Sequence, residues 1–362
     1  MADGRFMALA LGLAARGLGQ VWPNPAVGCV IVKDGRIVGR GWTQAGGRPH
    51  AETMALAQAG GSAHGATAFV SLEPCAHHGK TPPCARALID ARIARVVSAM
   101  DDPDPRVSGG GHAMLRAAGI EVETGLMAGE AARLQRGFLS RVKTGRPLLT
   151  LKLATSLDGR IATAAGESRW ITGPEARRRV HLMRARHDGV LIGAGTARAD
   201  DPMLTVRGLG IARQPVRIVA AAGLDLPLDG ALAHSAKDVP LWLVHGPEAA
   251  GERRTAWGER GARLFEVPRL ASGLDMAALM ASLSAAGLTR VFCEGGGQLA
   301  AALLAADLVD DLAVFSAGLA LGADGSAGVG ALNLGKLADA RRFMLQETQV
   351  IGPDLYALWA RA

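Results

Sequence analysis

Aromatic residues make up only 4% of the chain, and cysteine occurs four times in 362 residues. With few rings and abundant Ala and Gly, helices must pack closely through small side chains. Four cysteines in so long a chain do not form a disulfide framework, and thiols that serve as ligands need a reducing compartment, so a cytoplasmic location is expected. No apolar run reaches the length of a membrane span. There is no Lys- or Arg-dense tail, although the formal net charge is +7. That charge fits a phosphorylated small substrate with a phosphorylated cofactor, and nucleic acid is the alternative. Also missing after the two Gly-rich turns described below is G-x-G-x-x-G with an acidic residue about 20 positions on, which argues against a Rossmann domain.

At 362 residues and 49% hydrophobic, the chain is globular and long enough for two domains. One stretch concentrates the chemistry. His50-Ala51-Glu52 is followed by Pro74-Cys75 and, nine positions later, by Cys84. Zinc takes His nitrogen and Cys sulfur, and a catalytic site keeps one of four positions open. A histidine, two thiols and one carboxylate that is not a ligand match the signature of nucleobase deaminases. On that reading His50, Cys75 and Cys84 hold zinc and Glu52 is the catalytic proton shuttle. Two other readings stay open: His77 or His78 closing a four-ligand structural site, or no metal at all. The local sequence places His50 and Glu52 at one helix start and Cys84 at another, where the helix dipole favours thiolates.

The remaining first half reads as alternating elements. Arg5 before F-M-A-L-A-L-G-L-A-A has the outline of a short signal peptide. Phe6, Leu9, Ala10 and Leu13, however, follow helical spacing, which favours a first helix with Asp3 as its cap. W-P-N-P makes a stiff loop around Asn24. Asp34-Gly35 between apolar runs signals a hairpin. Strands end at Glu73-Pro74-Cys75 and at Asp101, with helices expected near 110–118 and 129–141. This alternation implies an α/β sheet with its site at the carboxyl ends of the strands.

P-N-P-A-V-G at 23–28, H-A-E at 50–52, L-E-P-C-A-H-H-G-K-T-P-P-C at 72–84 and P-D-P at 103–105 resemble the deaminase domain of the bifunctional riboflavin-biosynthesis deaminase–reductases. The resemblance continues through P-L-L-T-L-K-L-A-T-S-L-D-G-R-I-A at 147–162, G-E-S-R-W-I-T-G at 166–173, the run from Gly189 to Arg207, and E-G-G-G-Q-L at 294–299. It implies a cytidine-deaminase-like three-layer domain over 1–145 and a dihydrofolate-reductase-like domain over 146–362. The boundary is expected at V-K-T-G-R-P. It further implies zinc, NADPH and a phosphorylated pyrimidine substrate, with no nucleic acid and no membrane, and a homo-oligomer.

By the same resemblance Asn24, His77 and Lys80 meet the first substrate. Lys152, Ser168, Arg184, Leu204, Arg207 and Glu294 meet the second, with Arg184 and Arg207 on its phosphate. Ala154, Trp170, Thr196, Asp200, Gly296, Gly297, Gln298 and Leu299 line the cofactor. Three positions depart from the family pattern: Thr43 stands for a usual His, Asp104 for a usual Asn, and A-A-A at 220–222 for a frequent D-S.

The residues of the second half support a dinucleotide independently. R-V-F-C-E ends in three glycines before a helical run, and G-A-G-T at 193–196 is a second Gly-rich turn after V-L-I. Such turns let backbone N–H groups approach phosphate, although a plain strand–helix turn explains each one alone. Eleven arginines and five acids lie between 160 and 217, and Arg177 to Arg179 are expected on a solvated helix face. A nucleic-acid-editing deaminase and a non-catalytic zinc protein are the rival functions.

Overall fold

The computed structural model describes residues 2–76, 82–105 and 107–362. The chain forms two compact units, Met1–Gly145 and Arg146–Ala362.

In the first unit α1 (Ala2–Ala14) precedes a hairpin of β1 (Gly28–Lys33) and β2 (Arg36–Trp42). Asp34 and Gly35 turn it with φ of 48° and 73°, the geometry that Asp-Gly supplies. Then follow α2 (Ala51–Ala59), β3 (Thr67–Val70), α3 (Cys84–Asp90), β4 (Arg95–Ser98), α4 (Gly110–Ala117), β5 (Glu121–Thr124) and α5 (Ala128–Thr144). The sheet order is β2-β1-β3-β4-β5, with β3, β4 and β5 parallel. Period-two alternation divides β1 between two layers. Cys29 and Ile31 pack with α2, α3 and α4, while Val30 and Val32 pack with α1. Asp3 is not a cap: it lies inside the first turn of α1, and its carboxylate accepts from Arg95 at 2.8 Å.

Small residues set the layer spacing. A Cβ on Gly41 would fall 2.2 Å from the Ala51 carbonyl oxygen, and one on Gly39 would fall 2.2 Å from that of Ala55. The first turn of α2 therefore rests on the backbone of β2, which is what low aromatic and high Ala/Gly content permits.

Helix α5 continues through Val142, Lys143 and Thr144, so the junction is narrower than V-K-T-G-R-P: it is Gly145, at φ 70°, and Arg146. The second unit is built on nine strands in the order β11-β10-β9-β8-β14-β6-β15-β18-β17. They are β6 (Leu148–Ser156), β8 (Gly189–Gly193), β9 (Val216–Ala220), β10 (Leu241–His245), β11 (Arg263–Glu266), β14 (Arg290–Cys293), β15 (Asp311–Ala317), β17 (Phe343–Ile351) and β18 (Asp354–Arg361). Two small ribbons accompany them: β7 (Arg160–Ala162) with β16 (Ser326–Ala327), and β12 (Arg269–Leu270) with β13 (Gly273–Leu274). The seven strands from β11 to β15 are parallel, and the β17–β18 hairpin closes one edge antiparallel to β15. Helices α6 (Pro174–Ala185), α7 (Ala194–Asp200), α8 (Ala231–His234), α9 (Gly251–Glu259), α10 (Met276–Ala285) and α11 (Gly297–Ala305) flank it.

Candidate active sites

Each predicted zinc ligand sits where a short element ends or begins. His50 is the residue before α2, Cys75 follows β3 after Glu73-Pro74, and Cys84 opens α3. His50 Nδ1 lies 3.3 Å from Cys84 Sγ and 3.7 Å from Cys75 Sγ, and the Cys84 amide donates to Cys75 Sγ at 3.3 Å. All three ligand atoms fall within 4.8 Å of one another. A tetrahedral ion with Zn–S of about 2.3 Å and Zn–N of about 2.05 Å sets N···S near about 3.6 Å. The two observed N···S sides bracket that value, so the donor set and spacing fit zinc.

Glu52 is buried on the first turn of α2, next to the Cys84 thiol, and its Oε2 has no hydrogen-bond partner. Burial, and then the charge of Cys75, push its carboxyl up to about 7. Hydrogen bonds from Cys84 and His50 hold the Cys75 thiol down to about 4 against its burial. The unit thus pairs a ready thiolate with a buried carboxyl poised near neutrality, the condition for moving protons at physiological pH.

Other expected contacts are placed as follows. Asn24 is half-buried and its Nδ2 donates to the Gly47 carbonyl at 3.1 Å. His77 and Lys80 lie outside the described residues. The Thr43 hydroxyl is buried and accepts from the Val27 N–H at 3.1 Å, so it pins the P-N-P-A-V-G loop. Asp104 is buried, and its N–H donates to Asp102 Oδ1 at 2.9 Å. Glu73, expected only as part of a strand end, is buried with both oxygens bonded to backbone amides.

In the second unit, β8 and β14 are adjacent and parallel, so their Gly-rich turns lie side by side at the carboxyl ends. The Gly296 N–H donates to Thr196 Oγ1 at 3.1 Å and joins them. The three glycines are not equivalent. A Cβ on Gly297 would meet the Ala327 carbonyl oxygen at 2.5 Å, and one on Gly295 would meet Leu299 Cδ2 at 2.6 Å. On Gly296 the nearest atom is Thr196 Oγ1 at 3.4 Å. Two of the glycines therefore serve protein packing, and Gly296 alone presents an open cradle at the start of α11. That cradle, with Thr196 beside it, fits a dinucleotide phosphate.

Arg184, on α6, forms a two-point pair with Glu294 at the end of β14, Nε–Oε1 2.5 Å and Nη2–Oε2 3.0 Å, and also donates to the Thr205 carbonyl at 2.9 Å. Burial is the largest single influence on the Glu294 carboxyl and raises it, but the charge and hydrogen bonds of Arg184, with the charges of Lys152 and His181, together outweigh it and leave Glu294 below its usual range. Lys152, on β6 in the field of Glu294, Arg184 and Asp200, is lowered chiefly by burial. Ala154 follows two residues later on β6 and is half-buried. Leu204 is buried with φ of 53°, Arg207 is exposed, and the Arg207 N–H donates to His181 Nδ1 at 3.3 Å. His181, three residues before Arg184 on α6, was not among the expected site residues, although that spacing placed it on the same face. Ser168 is half-buried and Gln298 exposed. Leu299 packs on Gly295. Trp170 is 68% exposed, with the Arg177 guanidinium 4.5 Å and the Arg169 guanidinium 5.9 Å from its ring centre, and Arg169 donates to the Asp200 carbonyl at 2.6 Å. The expectation that Arg177 to Arg179 form a solvated face holds only for Arg178. Arg177 covers Trp170 and Arg179 covers Tyr356 at 5.1 Å, because their guanidinium groups gain from aromatic faces.

Comparison with known proteins agrees with this division. Residues 1–100 match the cytidine and deoxycytidylate deaminase zinc-binding region, and residues 147–357 match the RibD C-terminal domain. The riboflavin biosynthesis protein RibD of Escherichia coli is 46% identical, with 98% of each chain covered. The solved structure of Acinetobacter baumannii RibD superposes with a TM-score of 0.89 at 39% identity, covering 100% of this chain and 99% of that one. A diaminohydroxyphosphoribosylaminopyrimidine deaminase/5-amino-6-(5-phosphoribosylamino)uracil reductase from Thermotoga maritima gives 0.86 at 32% identity, with 100% and 99% covered. With both halves matched and its full length shared, the chain belongs to the RibD family of bifunctional deaminase–reductases of riboflavin biosynthesis.

Proposed function

We propose that residues 1–145 carry out hydrolytic deamination of 2,5-diamino-6-(5-phosphoribosylamino)pyrimidin-4-one, and that residues 146–362 then reduce the ribosyl chain to ribityl. The observation that carries the first half is the orphaned, buried Glu52 Oε2 beside the His50–Cys75–Cys84 triangle. Those three residues would hold zinc, which when bound supplies Lewis-acid activation of water at neutral pH. Glu52 takes one proton from the attacking water and gives it to the ring nitrogen, then takes the second from the new C–OH group and gives it to the amino group, which leaves as ammonia as the carbonyl forms. A carboxyl poised near neutrality suits both transfers. Asn24, His77 and Lys80 orient the pyrimidine and its phosphate.

In the second unit NADPH, when bound, supplies hydride to C1 of the sugar. Gly296 with Thr196 cradles its phosphates, joined by the backbone of Gly297, Gln298 and Leu299 at the start of α11, while Ala154, Trp170 and Asp200 line its remaining length. Lys152, Ser168, Leu204, Arg207 and Glu294 bind the sugar phosphate end of the substrate, with Arg184 held in place by Glu294. Their work is positioning and exclusion of water. A cytoplasmic location belongs to the same reading, supported by the unpaired thiols at Cys75 and Cys84. So does a homo-oligomer, supported by the exposed edge strand β17 with Met344, Leu345 and Val350 on its surface.

The test is ammonia release from the diaminopyrimidine, followed by NADPH oxidation, for wild type and Glu52→Gln. Wild type should release ammonia and then consume NADPH. Glu52→Gln should oxidise NADPH only when given the deaminated substrate. Equal ammonia release by both proteins would remove Glu52 from the mechanism.

A further inference from the structure

Glu73 is a buried carboxylate bonded to four backbone amides, and deamination as assigned above makes no use of it. Its side chain is 0% exposed. Oε2 accepts from the Asp102 N–H at 3.2 Å and the Gly109 N–H at 3.0 Å; Oε1 accepts from the Gly111 N–H at 2.9 Å and the His112 N–H at 3.3 Å. Its own N–H donates to the Met100 carbonyl at 3.0 Å. Glu73, Asp101 and His112 also bring their ligand atoms within 4.8 Å of one another. A carboxylate has about four lone-pair sites, and four amides fill those of Glu73, so this cluster is an anchor and not a second metal site.

The anchored parts adjoin the Cys75 corner of the His50–Cys75–Cys84 triangle. Two residues after Glu73 the same chain delivers Cys75. The segment held by the four amides runs from the end of β4 to the first turn of α4. β3 and β4 are parallel neighbours, so this segment emerges at the same edge of the sheet as Cys75. Contact is direct: a Cβ on Gly111 would fall 1.8 Å from the Pro74 carbonyl oxygen, and one on Gly110 would fall 3.2 Å from Ala76 Cβ. Pro74 and Ala76 are the residues on either side of Cys75. Within the same segment Asp102 and Asp104 are buried.

The geometry points to Glu73 as a positioning residue of the deaminase: its carboxylate locks the Cys75 strand end to the 101–112 segment, so that one ligand and one wall of the substrate site keep a common register. The inference rests on the deaminase reading of the first unit. It touches neither substrate nor metal and acts through Cys75 and the 101–112 backbone. Replacing one oxygen by an amide NH2 turns two of its acceptor contacts into donor-against-donor contacts, which pushes the segment away while preserving size and burial.

The experiment compares full-length wild type, Glu73→Gln and Glu73→Asp by zinc content, by KM and kcat for ammonia release, and by NADPH oxidation with the deaminated substrate. Glu73→Gln should keep its zinc and its reductase rate, raise KM for ammonia release, and lower kcat/KM by roughly 100-fold, the scale of an ångström's misplacement. Glu73→Asp, which keeps the charge, should recover part of that loss. Wild-type kinetic constants in zinc-loaded Glu73→Gln would overturn the positioning role. So would equal loss in Gln and Asp variants together with loss of zinc and of the unit's cooperative unfolding, which would mark Glu73 as a fold determinant only. Absence of ammonia release by wild type would instead bring down the deaminase reading itself, and this inference with it.

Discussion

Arg184 and Glu294 meet at two points with side chains only 13% and 9% exposed, joining α6 to the end of β14. Removing one partner strands a buried charge, which typically costs about 3–5 kcal/mol. Arg184→Met, which strands the Glu294 carboxylate, and Glu294→Gln, which strands the Arg184 guanidinium against a neutral amide, should each destabilise the second unit on that scale. Urea unfolding of both variants checks it. The pair also sets a pH dependence. The native Glu294 carboxyl lies below its ordinary value, so its contribution is complete above the unfolded glutamate pKa of about 4.3 and is lost as pH falls through the lower native value. Wild type should lose stability across that acid window more steeply than Glu294→Gln.

The glycine turn after β14 offers a contrast within two adjacent residues. Gly297→Ala drives a methyl against the Ala327 carbonyl oxygen, while Gly296→Ala meets only Thr196 Oγ1 at 3.4 Å. Overpacking of that kind costs about 1–3 kcal/mol, so Gly297→Ala should lower the melting temperature of the second unit. Gly296→Ala should melt as wild type does and bind NADPH more weakly, read by fluorescence titration. Equal effects of the two substitutions on stability would contradict the division of labour.

Chelation should separate the two activities. Stripping metal from the full-length protein should abolish ammonia release and leave NADPH oxidation with the deaminated substrate unchanged. Readdition of zinc should restore the first activity. Cys75→Ser should behave like the stripped protein and should not be rescued by zinc, because a hydroxyl is a poor substitute for a thiolate ligand.

Gly41→Ala should damage the metal site from a distance. Its Cβ would lie 2.2 Å from the Ala51 carbonyl oxygen, and α2 must lift to make room. His50 and Glu52 would lift with it. Reduced zinc content, together with a loss of about 1–3 kcal/mol in the first unit, is the expected pair of results.

What the sequence disclosed depends on whether the signal was local. Asp34-Gly35 makes its hairpin through its own backbone angles, and His50, Cys75 and Cys84 stand at element boundaries marked by prolines and helical runs. Those features were legible. Partner choice across the fold was not. Asp3 has the composition of a cap but finds Arg95. Arg177 and Arg179 have the spacing of a wet face but find Trp170 and Tyr356. Gly297 reads as a phosphate glycine, yet its missing side chain admits residues 327–330, thirty positions downstream. The same holds for Glu73, whose four donors come from a segment beginning twenty-nine residues later.

At Gly39 and Gly41 the backbone of β2 closes directly on the backbone of α2, with only the Cβ atoms of Met54 and Ala59 beside it. So close an approach leaves the two backbones little soft layer across which to slide. They must open together or not at all. The amides of β2 and of the following turns of α2 should therefore exchange with solvent in one cooperative event, at a single shared opening free energy. His50, at the start of α2, would then be as slow to open as the strand beneath it.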